Sequence, residues 1–432
     1  MRYVIIGGSA AGISAAEAIR FVDPTSEIQL FTWEHTPVYS RVLLSYYIAE
    51  ILSKEQLHFR PLDFFKENRV TAHLGQKVEK ISPETKSIRT EDGRDHPYDR
   101  LLIATGAWPN LMDIPGKEKK GVFVVRNLEH AQAMVRHLVK PTPVCILGGG
   151  LIGIRIGYAL SLRGLKVKLI IASDRILSQM LDLEASTLVR ERMQERGIDV
   201  ITGRNAVKIL GGEFVESIVL DNGEKIDCQM VVVGKGVEPN LEIVSSTSIK
   251  TAEGILADER MRTNLPDIYA AGDVAETYDL CWERTNVNAL WPVAFEQGRV
   301  AGLNMAGRET KYEGSFRMNS LDVFGLPVIS MGITRSEGPG YQEFRASGKE
   351  MYRKIVLKGG RLVGAILVGQ VQKAGVLTML MRKKLDVSGV VPFLLSKRLN
   401  FAELLPLVKQ NQEKFTEVEY RELTQRFAAS KA

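Results

Sequence analysis

The sequence predicts an α/β protein built on two Rossmann-like units, with a smaller α+β region at the C-terminal end. Three observations predict it. Tyr3-Val4-Ile5-Ile6-Gly7-Gly8-Ser9-Ala10-Ala11-Gly12 runs from an apolar strand into a glycine turn and a helix. Val144-Cys145-Ile146-Leu147-Gly148-Gly149-Gly150-Leu151-Ile152-Gly153 repeats that arrangement. From about Tyr312 the chain reads as short strands followed by helices. A strand, a glycine turn and a helix N-terminus aim backbone N–H groups and a helix dipole at a pyrophosphate. Two such turns on one chain imply two dinucleotides.

The 432 residues suffice for two or three domains, each with a sizeable core. Hydrophobic residues make up 45% and charged residues 25%, the balance of a soluble globular chain. Lys and Arg outnumber Asp and Glu, 57 to 51. That excess reads either as a mildly basic surface or as a docking face for an acidic partner protein. No nucleic-acid motif is present. The first strand begins at Tyr3, leaving no room for a signal peptide, and no apolar run reaches transmembrane length. Cys145, Cys228 and Cys281 form no CxxC or metal spacing, and the first two lie in apolar, strand-like runs that suit buried core residues. A cytoplasmic location is expected.

Ile28-Gln29-Leu30-Phe31 is the second strand of the first unit, with Trp33 and Glu34 just beyond it. An acid at that spacing hydrogen-bonds an adenosine ribose, or else is a solvated surface carboxylate. Pro37-Val38-Tyr39-Ser40-Arg41-Val42-Leu43-Leu44-Ser45 follows. Strand-like stretches at 70–74, 76–81 and 87–90 form a meander, which leads to Tyr98–Ile103 and the turn Ala104-Thr105-Gly106. Residues near 113–140 read as a linker and a helix. The second unit runs from Val144 through a helix to about Arg163 and a strand Val167–Ile171. Val231–Asn240 is a buried strand punctuated by Gly234, Gly236 and Pro239, which suits a crossing between domains. Thr263–Asp273 ends another strand in Gly272-Asp273, and Pro292 opens the helix after Trp291, as expected for a first helical position. Phe415, Val418, Leu423 and Phe427 are expected on one face of a terminal amphipathic helix. No repeat or low-complexity tract is visible.

With these motifs in place, roughly residues 1–375 resemble the flavin-dependent pyridine nucleotide–disulfide oxidoreductase superfamily. The pattern is most similar to the rubredoxin and ferredoxin reductases and to the flavin domain of the NADH-dependent nitrite reductase large subunit. Residues 37–45 and Leu290–Arg299 carry the likeness to the last. The resemblance implies a split FAD domain (1–112 and 241–312), an NAD(P)H domain (113–240) and a C-terminal α+β interface domain with a helical tail (313–432). It implies FAD contacts at Gly7, Gly8, Ser9, Ala11, Gly12, Trp33, Glu34, Arg41, Val78, Ala104, Thr105, Gly106, Arg126, Gly272, Asp273, Trp291 and Pro292. NAD(P)H is expected at Gly148, Gly150, Leu151, Ile152, Gly153, Ser173, Arg175 and Gly236. Ser9, where the fingerprint has its second glycine, is small enough to be tolerated.

Three departures bear on function. The disulfide-reducing branches carry a flavin-facing cysteine near 40–45, and here that stretch is Ser-Arg-Val-Leu-Leu-Ser. A lysine–glutamate pair of many relatives is replaced by Tyr46 and Arg155. Arg155 is then the one candidate catalytic residue, beside the flavin–nicotinamide contact, or a helix arginine paired elsewhere. The acid that usually ends the second nicotinamide strand is replaced by Ile171, followed by Ala172-Ser173-Asp174-Arg175. Ser173 and Arg175 can meet a 2′-phosphate, Asp174 can partly replace the absent acid, and Arg175 can equally be an ordinary solvated residue.

The resemblance implies hydride transfer from the nicotinamide to flavin N5, which asks for no side-chain acid or base. The helix opening at Trp291-Pro292 is the candidate stabiliser of negative charge near flavin N1. Electrons are expected to leave singly, to an acidic one-electron carrier or other Fe–S protein. The alternatives are an NAD(P)H oxidase and a flavin-bearing assembly or sensor subunit with a decayed nicotinamide site. A homodimer through the C-terminal domain is a further expectation.

Overall fold

The structure is a computed structural model that describes residues 1–36, 38–138, 142–397 and 401–429. By the density of contacts the chain forms two compact units. The first holds Met1–Ile170, Arg204–Asp279 and Glu283–Ser315. The second holds Ile171–Gly203, Leu280–Trp282 and Phe316–Ala432.

The first unit is organised by a five-stranded parallel sheet in the order Ile268–Ala270, Arg100–Ile103, Arg2–Ile6, Glu27–Thr32, Val70–Leu74. Its central strands are near-continuous apolar runs because both faces are covered. Val4, Ile5, Leu101, Leu102 and Ile103 have no exposed surface. The Ala10–Val22 helix returns from the first strand and packs along the Trp291–Met305 helix. Small residues set that approach. A Cβ on Gly298 would stand 2.1 Å from the Ala11 carbonyl oxygen, and one on Gly302 would stand 2.4 Å from that of Ala15.

A second parallel sheet in this unit orders Val167–Ile171, Val144–Leu147, Met230–Val233, Val122–Phe123. Each sheet has an antiparallel three-stranded meander just before one of its strands in the chain. These are Val78–Ser82, Ser87–Thr90, Asp95–Pro97 and Ala206–Leu210, Ser217–Leu220, Lys225–Asp227; Val70–Leu74, expected in the first meander, instead pairs in parallel with Glu27–Thr32, and Asp95–Pro97 takes its place. In chain order, strand, glycine turn, helix, strand, meander and strand thus occur twice. The duplication lies in topology and in the backbone demands of the turns, which side-chain identities away from the glycines do not record. A two-stranded ribbon, Ala107–Pro109 with Val237–Pro239, joins the halves where Gly and Pro punctuation predicts a crossing.

The second unit contains a five-stranded antiparallel sheet in the order Met318–Val323, Leu326–Gly332, Arg361–Val368, Met351–Lys358, Tyr341–Gly348. The Ala374–Arg382 helix covers it, burying Leu377 and Leu380 against a cluster that includes Ile355, Leu357 and Leu367. The terminal helix spans Glu417–Ala429 and differs from expectation. Phe415 is buried but precedes the helix, Val418 is 64% exposed, and Tyr420 and Leu423 pack on the core. The side chain of Phe427 lies outside the described residues. A reciprocal cap explains the shift: Thr416 N–H donates to Glu419 (2.8 Å) and Glu419 N–H donates to the Thr416 hydroxyl (3.3 Å). This fixes the helix start after Phe415 and turns Val418 outward.

Candidate functional site

The first glycine turn is shaped by backbone contact. Gly7 has φ +120°, its N–H donates to the Phe31 carbonyl at 2.8 Å, and a Cβ there would stand 2.1 Å from the Ala104 oxygen. A Cβ on Gly12 would stand 1.9 Å from the Gly7 oxygen. Only glycine lets the strand end, the helix and the Ala104-Thr105-Gly106 turn meet this closely. Gly272 (φ +83°) enters from the other side, with a Cβ position 3.1 Å from that of Ala11. Its N–H is held by the buried Gln297 amide oxygen at 2.8 Å, and Gln297 donates to Thr277 at 3.0 Å. One turn, two strand ends and the start of the Trp291–Met305 helix therefore converge.

Beside this convergence lies a connected polar network. Glu34 accepts from the Tyr39 hydroxyl and forms an ion pair with Arg41. Arg41 also donates to the Ser9 hydroxyl (3.2 Å) and to the Arg126 carbonyl (2.8 Å). Arg126 pairs with Asp273 at 2.7 Å and donates to the Ala107 carbonyl at 3.0 Å. Tyr39 in turn accepts from Leu128 N–H at 3.0 Å. Val38, before it, is a buried β-branched residue at φ +49°, a strained conformation that turns the segment toward the site. Burial pushes the Tyr39 hydroxyl pKa up, helped by Glu34 despite Arg41. Burial opposes the Arg41 charge, but Tyr39 and Glu34 more than offset it, so its pKa is raised.

A recess in this region is lined by Gly8, Ser9, Thr32, Glu34, Thr36, Tyr39, Arg41 and Phe65. Glu34 is buried here, not a solvated surface carboxylate. The Ala10–Val22, Leu151–Leu162 and Trp291–Met305 helices have no side-chain cap and no acid in their first turns. By contrast, Asn127 caps the Leu128–His137 helix and Asp182 caps Leu183–Glu195, each with a glutamate in the first turn. Uncapped, acid-free N-termini suit phosphate or developing negative charge. Asn127 Nδ2 and His130 Nδ1, near the network, are buried without a hydrogen-bond partner among the described residues. These residues fit a bound dinucleotide.

Other expected positions are distributed as follows. Trp33 packs against Trp108 with ring centres 5.4 Å apart, Trp291 packs edge-on to Phe59 at 5.1 Å, and Val78 is a buried core residue. Pro37 lies outside the described residues. The second turn repeats the first: Gly148 has φ +129°, and a Cβ on Gly153 would stand 2.0 Å from its oxygen. The Gly236 carbonyl accepts from Asn110 N–H at 3.0 Å. Arg155, one turn into the following helix, donates to the Val42 carbonyl at 3.4 Å, so the structure brings it to the segment carrying Arg41. Tyr46, on a short helix packed against that of Arg155, is 39% exposed. In the second unit, Ser173 donates to the Arg175 carbonyl at 2.7 Å. Arg175 pairs with Asp174 (2.7 Å) and donates to the Leu181 carbonyl (3.2 Å), folding its guanidinium onto its own loop.

All three cysteines are buried and none is in a disulfide. Cys145 and Cys228, distant in sequence, are neighbours in the fold. The hydrogen bond between them, then burial, pushes the Cys228 thiol pKa up. Sequence reasoning missed Thr36, Tyr39, Phe65, Gln297 and Gly298 as site builders. Tyr39, Gln297 and Gly298 stood inside the quoted motifs; nothing in the sequence marked Phe65.

Residues 1–298 match the family described as Pyridine nucleotide-disulphide oxidoreductase, and the chain belongs to it. Residues 318–385 match the Rubredoxin NAD+ reductase C-terminal domain. The chain is 30% identical over 388 residues to "Nitrite reductase [NAD(P)H]" of Bacillus subtilis (strain 168), covering 89% of this chain and 48% of that one. It thus spans about half the length of that curated relative. It is 30% identical to "NADH oxidase" of Methanocaldococcus jannaschii, covering 85% and 88% of the two chains. Among solved structures, a NAD-dependent persulfide reductase from A. fulgidus superposes with a TM-score of 0.85 at 28% identity, covering 90% and 78%. The family brings with it the use of a pyridine nucleotide and a flavin.

Proposed function

We propose that the chain is an FAD-dependent NAD(P)H oxidoreductase that delivers electrons one at a time to an Fe–S or other one-electron acceptor protein. The observation that carries this reading is the Glu34–Arg41–Ser9 and Arg126–Asp273 network beside an uncapped helix N-terminus, in a site whose 40–45 segment has no thiol. Glu34 would hold the adenosine ribose, and the first turns of the Ala10–Val22 helix the pyrophosphate. Asp273 would hold the ribityl or pyrophosphate region, and the Trp291 helix N-terminus would face charge on the flavin. Bound flavin supplies the conversion of a two-electron donor into one-electron steps. Arg155 would add fixed positive charge near the ring, because a guanidinium stays protonated.

The three-domain division (1–112 with 241–312; 113–240; 313–432), a C-terminal homodimer contact and a cytoplasmic location belong to the same proposal. Three cysteines without a disulfide support the last of these. The described residues contain no helix long and apolar enough to cross a membrane. The match to a rubredoxin reductase C-terminal domain and the basic charge balance support an acidic Fe–S partner. The test is anaerobic stopped-flow reduction of the purified protein by NADH and by NADPH, followed by mixing with a rubredoxin or ferredoxin, or with oxygen. Bleaching by either nucleotide and faster reoxidation by the Fe–S protein support the proposal. Faster reoxidation by oxygen would favour the oxidase reading suggested by the NADH oxidase relative. No bleaching by either nucleotide would leave the sensor or assembly role.

A further inference from the structure

The loop carrying Ser173 and Arg175 ends at Asp182, and Asp182 is tied to the C-terminal sheet. It caps its own helix by accepting from Ala185 N–H at 3.2 Å. Its other oxygen accepts from the Tyr352 hydroxyl, with the Lys354 ammonium 3.6 Å away. Lys354 is only 3% exposed and also pairs with Glu343 at 2.8 Å. Further along the helix, Glu184 accepts from the Ser347 hydroxyl. Arg192 pairs with Glu350 at 2.8 Å and donates to the Phe324 carbonyl at 3.2 Å. These ties join two stretches more than 100 residues apart in sequence, and the compact unit contains both. At its near end the loop is closed by Arg175 on Leu181, the residue before Asp182. Asp182 is thus linked to Arg175 and Ser173 by a short run of hydrogen bonds within the loop. Burial and Asp182 together push the Tyr352 hydroxyl pKa up, so it remains a donor through the working pH range.

We propose that Tyr352 and Lys354, on the C-terminal sheet, are positioning residues for nucleotide recognition: through Asp182 they hold the 173–182 loop in the shape that meets the adenosine end of NAD(P)H. The inference rests on the reading of Ser173 and Arg175 as nucleotide contacts. It gives the C-terminal region a role in choosing or retaining the nicotinamide cofactor.

The test compares Tyr352→Phe and Lys354→Met with the parent holoprotein, using NADH and NADPH as probes. Flavin content, thermal midpoint and the separate kcat and KM for nucleotide are measured. Tyr352→Phe removes one hydroxyl without changing ring packing and is expected to fold. The expected result is a rise of about 2- to 30-fold in nucleotide KM, with flavin content and kcat nearly unchanged, and with Lys354→Arg restoring the parent KM. An unchanged KM in both variants of a nucleotide-reducible parent overturns the inference alone. A parallel fall of kcat, flavin content and thermal midpoint without a KM effect also overturns it, because a merely structural role would produce that. A parent whose flavin neither nucleotide reduces overturns the inference together with the nicotinamide reading.

Discussion

At the first glycine turn a Cβ on Gly12 would stand 1.9 Å from the Gly7 oxygen; at the second, a Cβ on Gly153 would stand 2.0 Å from the Gly148 oxygen. Both turns open an uncapped helix without an acid in its first turn. The side chains around them differ. Ser9 at the first turn accepts from Arg41, which reaches Glu34 and the Arg126 carbonyl, and Arg126 pairs with Asp273. At the second, Gly150 has open space where a side chain would stand. Its following strand ends at the buried apolar Ile171, and the nearby Asp174 is 68% exposed and paired with Arg175. The same backbone device thus appears once beside a network that gathers charges from distant segments and once before a loop whose Ser173, Asp174 and Arg175 bond within the loop itself. Under the proposed function, the first turn holds a dinucleotide that stays and the second one that leaves after each turnover, and pre-organised contacts at the first would lower the dissociation rate.

The largest expected effect is at the turns themselves. Gly12→Ala and Gly153→Ala each force a methyl into a carbonyl, at a cost of about 1–3 kcal/mol or more. The first is expected to yield protein without flavin and the second a yellow protein whose reduction by NAD(P)H is lost. Absorbance at the flavin band and stopped-flow reduction read the two outcomes. If Gly153→Ala also loses its flavin, the two turns are not functionally separate.

Next come the charges of the first network. Asp273→Ala and Arg126→Met each leave a mostly buried partner uncompensated, an effect of about 3 kcal/mol. Weaker FAD retention is expected in both, measured by titrating FAD into the apoprotein. Cofactor released by acid should chromatograph as FAD; FMN would sink the assignment. An unaltered FAD affinity in both variants would mean the network only braces the fold.

Arg155→Glu probes the place where the two halves approach. Reversing one close charge in a partly dry site is worth on the order of 1–3 kcal/mol. A lower flavin potential and slower hydride transfer are expected, with FAD still bound. Unchanged potential and rate would assign Arg155 to its contact with the Val42 carbonyl alone.

The smallest effect on turnover is expected from replacing Cys145, Cys228 and Cys281 together with alanine. A folded triple variant should keep NAD(P)H–acceptor activity, while losing about 1 kcal/mol or more of stability from the buried sites. Loss of turnover with fold and flavin intact would reveal a catalytic thiol.

The sequence by itself determined the two glycine turns, the parallel-sheet halves and the absence of a cysteine at 40–45. Strand-to-helix turns that carry a pyrophosphate allow few residue types, so the backbone requirement is written directly in Gly7, Gly12, Gly148 and Gly153. It also marked Glu34, by its offset from the glycine turn and strand end, while Arg41, Arg126 and Asp273 were marked through the family resemblance. Only the tertiary structure decided how these charges are wired: Glu34 with Tyr39 and Arg41, and Arg126 with Asp273 across 147 residues of sequence. It also decided that Cys145 and Cys228 are neighbours and that Arg175 folds back on its own loop. The terminal helix shows the same limit on a smaller scale. Apolar spacing placed Val418 with Phe415, but the Thr416–Glu419 cap set the helix start and turned Val418 to solvent. Periodicity reports a face only once the first residue of the helix is known. Long-range pairing depends on which strand ends meet, and that is fixed by sheet order, which no local pattern of residues contains.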